Sequence, residues 1–262
     1  MTAKQSEDRY EARLAICEAD IASALRLRYR VFVEELGADG PGVDHAARTE
    51  QDEFDTVFDH LVLIDRTVDP EQGDHVVGVY RLLPCDRMQQ IGRFYSESEF
   101  DLTLLKASGR KLLELGRSCI HADHRGGTGM LQLWNALARY VLERDIAIMF
   151  GAASFPGTDL GRLAAPLSLL HHAHLAPPSL RVRAHGGGLA QAHLLPADQI
   201  DRRAALAATP ALIKAYLRLG GFVGEGVYVD HAFNTTDVCL VMDTNQMSQK
   251  HRDFYIRKGE AG

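Results

Sequence analysis

The chain has 262 residues, 46% of them hydrophobic and 24% charged, with a formal net charge of −6 at pH 7. That is enough for one large core or two small ones, and the negative balance argues against general nucleic-acid affinity. Met1 to Arg13 is polar and mixed in charge, unlike a signal or transit peptide, and the longest apolar run, Ile146 to Gly157, is far too short to span a bilayer.

Tyr10 to Cys17 alternates as a strand does. Glu18-Ala19-Asp20 then opens an amphipathic helix running to about Leu36, with acids in its first turn as the helix dipole prefers. Gly37 to Asp52 is polar and reads as a loop. His60 to Asp65 and His75 to Leu83 are short aliphatic runs parted by Asp69-Pro70 and Gly73, which predicts a hairpin. Lys111 to Ile120 is a further strand, followed by a turn over His121 to Gly129 and a helix from Met130 to about Glu143. Ile146 to Ser154 is short and apolar enough for a buried strand, ended by Phe155-Pro156-Gly157.

Leu160 to His174 has helical spacing and stops at Pro177-Pro178. Arg181 to Asp201 is irregular and carries Gly186-Gly187-Gly188, as a flexible flap would. Ala205 to Leu219 predicts another helix, capped by Gly220-Gly221, and strands at Gly226 to Phe233 and Asp237 to Asp243 precede a polar tail. There is no internal repeat and no evident boundary. The expected architecture is therefore α/β: a single domain over residues 1–262, with a mixed central sheet flanked by helices and a helical insertion at about 160–205, after the fifth main strand. The four cysteines lack CxxC spacing and sit in apolar surroundings, which suits reduced, buried thiols in the cytoplasm.

The chemistry concentrates in the central strand–turn–helix unit. A glycine-rich turn entering a helix leaves amide N–H groups aimed outward, an anion site suited to a phosphate. His124 to Gly129, with Gly127 and Gly129 in place, is similar to the GNAT pattern Q/R-x-x-G-x-G/A, with histidine at the first position and Arg125 at the second. A tight turn that merely needs glycine explains the same spacing. In the preceding strand, Glu114 and Arg117 would face opposite ways, and Gly116 between them predicts a β-bulge that turns both toward one face and frees a backbone N–H. A local Glu–Arg ion pair is the plainer account.

Other clusters are weaker. His171, His172 and His174 lack a paired carboxylate motif, so a helix face explains them better than a metal, and no metal site is expected. Ser154 follows alanine and lacks a nucleophile elbow. Arg181, Arg183, Arg202 and Arg203 could meet an acidic protein or anionic lipid, although surface arginines are common.

Arg28, Phe32, Asp52, Asp55, Arg81, Glu114 and Arg117 match, in order and approximate spacing, a signature that resembles acyl-homoserine-lactone synthases. Those GNAT-like enzymes acylate the α-amine of S-adenosylmethionine. Their tryptophan after the Phe32 equivalent is missing here, where about Ala38 stands. Phe94 to Leu102, Leu113 to Cys119, Ser154 to Asp159, His174 to Pro178 and Asn234 to Cys239 look closer to the bacterial ornithine N-acyltransferases, sometimes labelled hemolysin-like. That resemblance runs from about Arg28 to Tyr255.

It implies a GNAT fold and transfer of a 3-hydroxyacyl chain from acyl carrier protein to the α-amine of ornithine. Acyl-ACP, through its 4′-phosphopantetheine, would be the donor, with no permanently bound cofactor. Glutamine or lysine as acceptor, a lactone synthase, and a lytic protein are the competing readings. The last needs an amphipathic membrane segment that the sequence lacks. The resemblance also implies roles: Glu114 as general base, with Arg117 beside it; Arg28 and Arg81 for the substrate carboxylate; Asp52 and Asp55 for an ammonium group; Phe32 in the pocket; His124, Arg125, Gly127 and Gly129 for phosphopantetheine. Residue by residue, Arg28 could equally be solvated, the two aspartates could be solvated loop acids, and Phe32 could be core. The expected place is the cytoplasm, with the inner membrane face as a peripheral surface.

Overall fold

The computed structural model describes residues 9–187 and 194–246. Gly188 of the triple glycine, the rest of that stretch to 193, the polar tail from 247 and the first eight residues lie outside the described residues. The chain divides into two compact units: Met1–Ile91, Leu115–Asp145 and Asp253–Gly262 form one, Gly92–Glu114 and Ile146–Arg252 the other.

In the first unit, strand β1 (Tyr10–Leu14) leads into helix α1 (Glu18–Arg28), and β2 (Asp59–Asp65) and β3 (Val76–Pro84) form the expected antiparallel hairpin. β1 pairs antiparallel with the other edge of β2, from Tyr10↔Asp65 to Leu14↔Leu61. Ala24, Leu27 and Val31 pack with Val62, Ile64, Val76, Val79 and Cys119 in one buried cluster. Strand β4 (Leu112–Ile120) contributes its last six residues here, and helix α2 (Gly129–Glu143) follows. Leu133, Ala136, Leu137, Tyr140 and Val141 recur at helical spacing and are the buried face of α2, which packs on β1 and β2.

The helix expected to reach Leu36 stops being α-helical at Arg28. It continues as a seven-residue π-helical stretch, Tyr29–Glu35, a wider winding that recurs at functional sites. The expected loop to Asp52 contains a small ladder of Val43–Asp44 against Thr49–Glu50.

In the second unit, the first three residues of β4 pair parallel with β5 (Ile148–Pro156), from Leu112↔Ile148 to Glu114↔Phe150. Helix α3 (Leu160–His174) is inserted after this fifth main strand, then α4 (Arg202–Ala208) and α5 (Ala211–Arg218). The helix expected over Ala205 to Leu219 is broken, because Pro210 lacks an N–H and drives Thr209 into an extended conformation (φ −72°, ψ 132°). Short strands β6 (Phe222–Val223) and β7 (Tyr228–Asp230) each pair antiparallel with β8 (Thr235–Asp243), which also runs antiparallel to β5 along its whole length. β7 is shorter than expected, since Asp230 Oδ1 accepts from the Ala232 and Phe233 amides and turns the chain.

The mixed sheet and flanking helices are those of the GNAT fold. Among the described residues no helix is long and apolar enough to cross a membrane. All four cysteines are free thiols; Cys119 and Cys239 are buried, but Cys17 is exposed and Cys85 half-buried. Burial pushes both buried thiols up, Cys119 to about 12, which keeps them protonated at neutral pH.

Candidate active site

Five of the expected site residues, Arg28, Asp52, Asp55, Arg81 and Arg117, meet in one charged cluster of the first unit. Asp52 caps a short 3₁₀ turn, Glu53–Thr56, and Asp55 is the third residue of that turn, the two forming a reciprocal capping box. Asp52 Oδ1 accepts from Phe54 N at 3.0 Å, and Asp55 Oδ2 from Asp52 N at 2.8 Å. That local bonding fixes two carboxylates side by side, and the arginines converge on them. Arg81 grips Asp52 with both terminal nitrogens, at 2.6 and 2.9 Å, and reaches Asp55 at 2.9 Å. Arg28 donates to Asp55 Oδ1 at 2.5 Å and to Glu50 Oε2 at 2.6 Å. Arg117 donates from Nε to Glu50 at 3.2 Å and from Nη2 to Asp52 at 3.0 Å.

Three guanidiniums therefore face three carboxylates. Burial works to protonate the carboxyls, but the arginines outweigh it and hold Glu50, Asp52 and Asp55 below the usual carboxylate range. Neither Arg28 nor the aspartates are solvated surface groups: Arg28 and Arg81 are 0% exposed. Asp52 is the most exposed member, with 19% of its side chain open to solvent, followed by Arg117 at 10% and Asp55 at 9%. Phe32 sits in the π-helical stretch, half-buried against the apolar cluster under α1. Ala38 is buried, its N–H donating to Phe32 O at 2.8 Å.

Two members were not foreseen. Glu50 lies two residues before Asp52, and extended backbone puts such a pair on one face, so the acidic spacing carried the signal. His60 stands opposite Arg81 in the β2–β3 register, and its Nε2 lies 3.2 Å from Asp55 O. A carbonyl only accepts, so Nε2 carries the proton; burial lowers the pKa of the ring and keeps it neutral.

Strand β4 is irregular where the sequence placed a bulge. Its parallel pairing with β5 ends at Glu114, and the residue with positive φ is Arg117 (φ 50°), one beyond Gly116. A non-glycine residue there is strained and persists because Glu50 and Asp52 hold its side chain. Glu114 belongs to the second unit and is 1% exposed. Its Oε1 accepts from Ser96 N at 2.7 Å and Ser96 Oγ at 2.5 Å, and its Oε2 from Tyr95 N at 2.8 Å.

The loop before α2 is shaped for a close approach of backbone. Gly126 has φ 76°, and a Cβ on Gly129 would lie 2.7 Å from Leu63 Cδ2, so a side chain there displaces a buried leucine. A Cβ on Gly127 would meet nothing within 4 Å, which leaves that peptide open. His124 Nδ1 lies 2.9 Å from Tyr10 Oη, and burial, aided by Arg9, lowers its pKa. Arg125 is fastened to Glu35 through both terminal nitrogens, at 2.5 and 2.7 Å.

His172 Nε2 meets Leu195 O at 2.9 Å, while burial lowers the pKa of His171 and His174. Among the described residues, the group with ligand atoms spaced for a metal is instead Glu99, Asp230 and Asp237, all within 4.8 Å of one another. Such oxygen donors suit a hard cation, but an acidic group alone does not make a metal centre. Of the four arginines singled out near the flap, Arg183 pairs with Glu225 at 2.9 Å and Arg181 donates to Ala176 O at 2.9 Å.

A family profile described as an acetyltransferase (GNAT) domain matches residues 27–135. The L-ornithine N(alpha)-acyltransferase of Rhodobacter capsulatus is 61% identical over 251 residues, 96% of each chain. That of Agrobacterium fabrum is 38% identical over 252 residues, 95% of this chain and 86% of the other. Among solved structures, the acyl-homoserine lactone synthase BjaI aligns with a TM-score of 0.52 at 15% identity, over 95% of this chain and 88% of that one. The N-acyl amino acid synthase FeeM, from uncultured soil microbes, gives 0.50 at 13%, over 91% and 92%. At those identities the two structures share the fold and nothing finer. The chain is an N-acyltransferase of the GNAT fold and belongs to the L-ornithine N(alpha)-acyltransferase family.

Proposed function

We propose that the chain transfers a 3-hydroxyacyl group from the 4′-phosphopantetheine thioester of acyl carrier protein to the α-amine of L-ornithine, giving lyso-ornithine lipid. The observation that carries the acceptor is the 61% identity, over 96% of both chains, to the Rhodobacter capsulatus L-ornithine N(alpha)-acyltransferase. The amine nitrogen attacks the thioester carbonyl, the C–N bond forms, and the C–S bond breaks to release the carrier thiol. The amine must shed a proton for this, and Glu114 is the base we assign, acting directly or through water. A backbone amide freed at the irregularity of β4 would hold the tetrahedral oxyanion.

The charged cluster suits an amino acid. Arg117 and Asp52, the two most exposed members, are paired with each other at 3.0 Å and would part to offer one guanidinium for a carboxylate and one carboxylate for an ammonium. Arg28 and Arg81, fully buried and already paired, act by holding Asp52, Asp55 and Glu50 in place, and Phe32 packs on the apolar cluster under α1. His124, Arg125, Gly127 and Gly129 form the loop for the phosphopantetheine phosphate, at the positive end of α2. No cofactor stays bound, and the amphiphilic product gives a reason for work at the cytoplasmic membrane face.

The test follows the carrier thiol. Purified protein, 3-hydroxyacyl-ACP and ornithine should release free thiol at a rate that saturates with ornithine. No ornithine-dependent release overturns the reading.

A further inference from the structure

The loop assigned to the donor carries its own counter-charge. Arg125 Nη1 and Nη2 donate to Glu35 Oε1 and Oε2, and Nε donates to Ile120 O at 2.9 Å, so each of its three nitrogens already has one partner in the protein. Glu35 closes the π-helical stretch. Its hydrogen bonds from Arg125 hold it below the usual carboxylate range, against a smaller opposing effect of burial, so it is an anion at neutral pH. Asp123, in the same loop, is exposed and adds a second carboxylate. Burial and Arg9 keep His124 from supplying a compensating charge. Arg125 is thus neutralised by Glu35, and the pull on a phosphate comes from backbone amides and the helix dipole.

That balance has a consequence for donor choice. Amides and a dipole satisfy one phosphate group well but do little for further negative charge, which would also meet Glu35. A carrier-protein phosphopantetheine brings a single phosphodiester charge to the loop. Coenzyme A brings a diphosphate and a 3′-phosphate. We infer that Glu35 is a specificity-determining residue that holds Arg125 back from the donor and so favours the phosphopantetheine of a carrier protein over coenzyme A. The inference rests on the donor loop proposed above.

The experiment compares kcat/KM for 3-hydroxyacyl-ACP and the matching 3-hydroxyacyl-CoA in the wild type, Glu35→Gln and Glu35→Lys, at low and high salt. The ratio of CoA to ACP efficiency should rise roughly three- to tenfold in Glu35→Gln, further in Glu35→Lys, and less at high salt, because the effect is a screened charge interaction. A wild-type preference for the carrier protein that neither variant changes, both donors falling together, overturns the inference alone. A wild-type ratio near one removes the carrier-protein reading and the inference with it.

Discussion

Arg28 and Glu50 form a fully buried ion pair, Nε to Oε2 at 2.6 Å, with the guanidinium 0% and the carboxylate 1% exposed. Such pairs stabilise little against an apolar replacement, but breaking one strands a charge out of water. Glu50 also takes Arg117, so its loss leaves three guanidiniums facing two carboxylates, with Arg28 keeping Asp55 and Arg117 keeping Asp52. Glu50→Gln should lower stability by about 3–5 kcal/mol, a drop in melting temperature on the order of 10 °C. Thermal unfolding checks it, and a variant as stable as the wild type would show that the cluster relaxes.

The same cluster sets an acid limit. Glu50, Asp52 and Asp55 have depressed folded-state pKa values, as does Asp65, held at about 2 by Arg9 against the opposing effect of burial. Groups depressed on folding stabilise above their unfolded pKa, about 4, and lose that contribution as pH falls toward the folded value. Melting temperature should be level above about pH 5 and decline steeply below about pH 4. A profile flat down to pH 3 would contradict the ion-pair account.

Glu114 has two duties that mutations separate. Glu114→Gln removes the proposed base and turns an amide N–H₂ toward the Tyr95 or Ser96 donors, so kcat should fall on the order of 10²- to 10⁴-fold with some loss of stability. Ser96→Ala deletes one of three hydrogen bonds, leaves the carboxylate, and should cost roughly 1 kcal/mol of stability with a smaller loss of rate. Equal kcat losses in the two variants would assign Glu114 to holding the 95–96 segment.

Arg117→Lys keeps the charge but loses the fork that spans Glu50 and Asp52. If Arg117 meets the amino acid carboxylate, KM for ornithine should rise about tenfold or more while KM for the acyl donor stays near its wild-type value. Matching shifts in both constants would make its role structural.

Gly42 lies outside the cluster yet bears on it. A Cβ there would sit 2.2 Å from Gln51 O, and Gln51 N also donates to Gly42 O at 2.8 Å. Gly42→Ala must push backbone at the residue before Asp52. It should raise KM for ornithine and cost about 1–3 kcal/mol, read by kinetics and thermal unfolding side by side.

Much of this was legible in the sequence for local reasons. The β2–β3 hairpin, α2 and α3 follow from apolar periodicity between strong turn residues, whereas Asp52 and Asp55 were picked out by the resemblance alone and their capping box came from the structure. What periodicity could not supply was long-range. Arg28 looked solvated beside Arg26 and Arg30; its burial depends on Glu50, 22 residues on, and its bond to Asp55, 27 residues on. The break at Pro210 was local and readable, since proline lacks a helix-interior N–H and biases the residue before it toward extended backbone. The π-helical winding of Tyr29–Glu35 leaves no mark in residue spacing, and the Glu35–Arg125 pair joins residues 90 apart.

The central claim is tested most directly by offering purified protein 3-hydroxyacyl-ACP with an equimolar mixture of [α-¹⁵N]ornithine, lysine, glutamine and S-adenosylmethionine, and reading the acylated products by tandem mass spectrometry. The account predicts one dominant product, ornithine carrying the acyl group on the labelled nitrogen. Acylation of the unlabelled δ-amine, a dominant lysine or glutamine product, or a lactone from S-adenosylmethionine would contradict it.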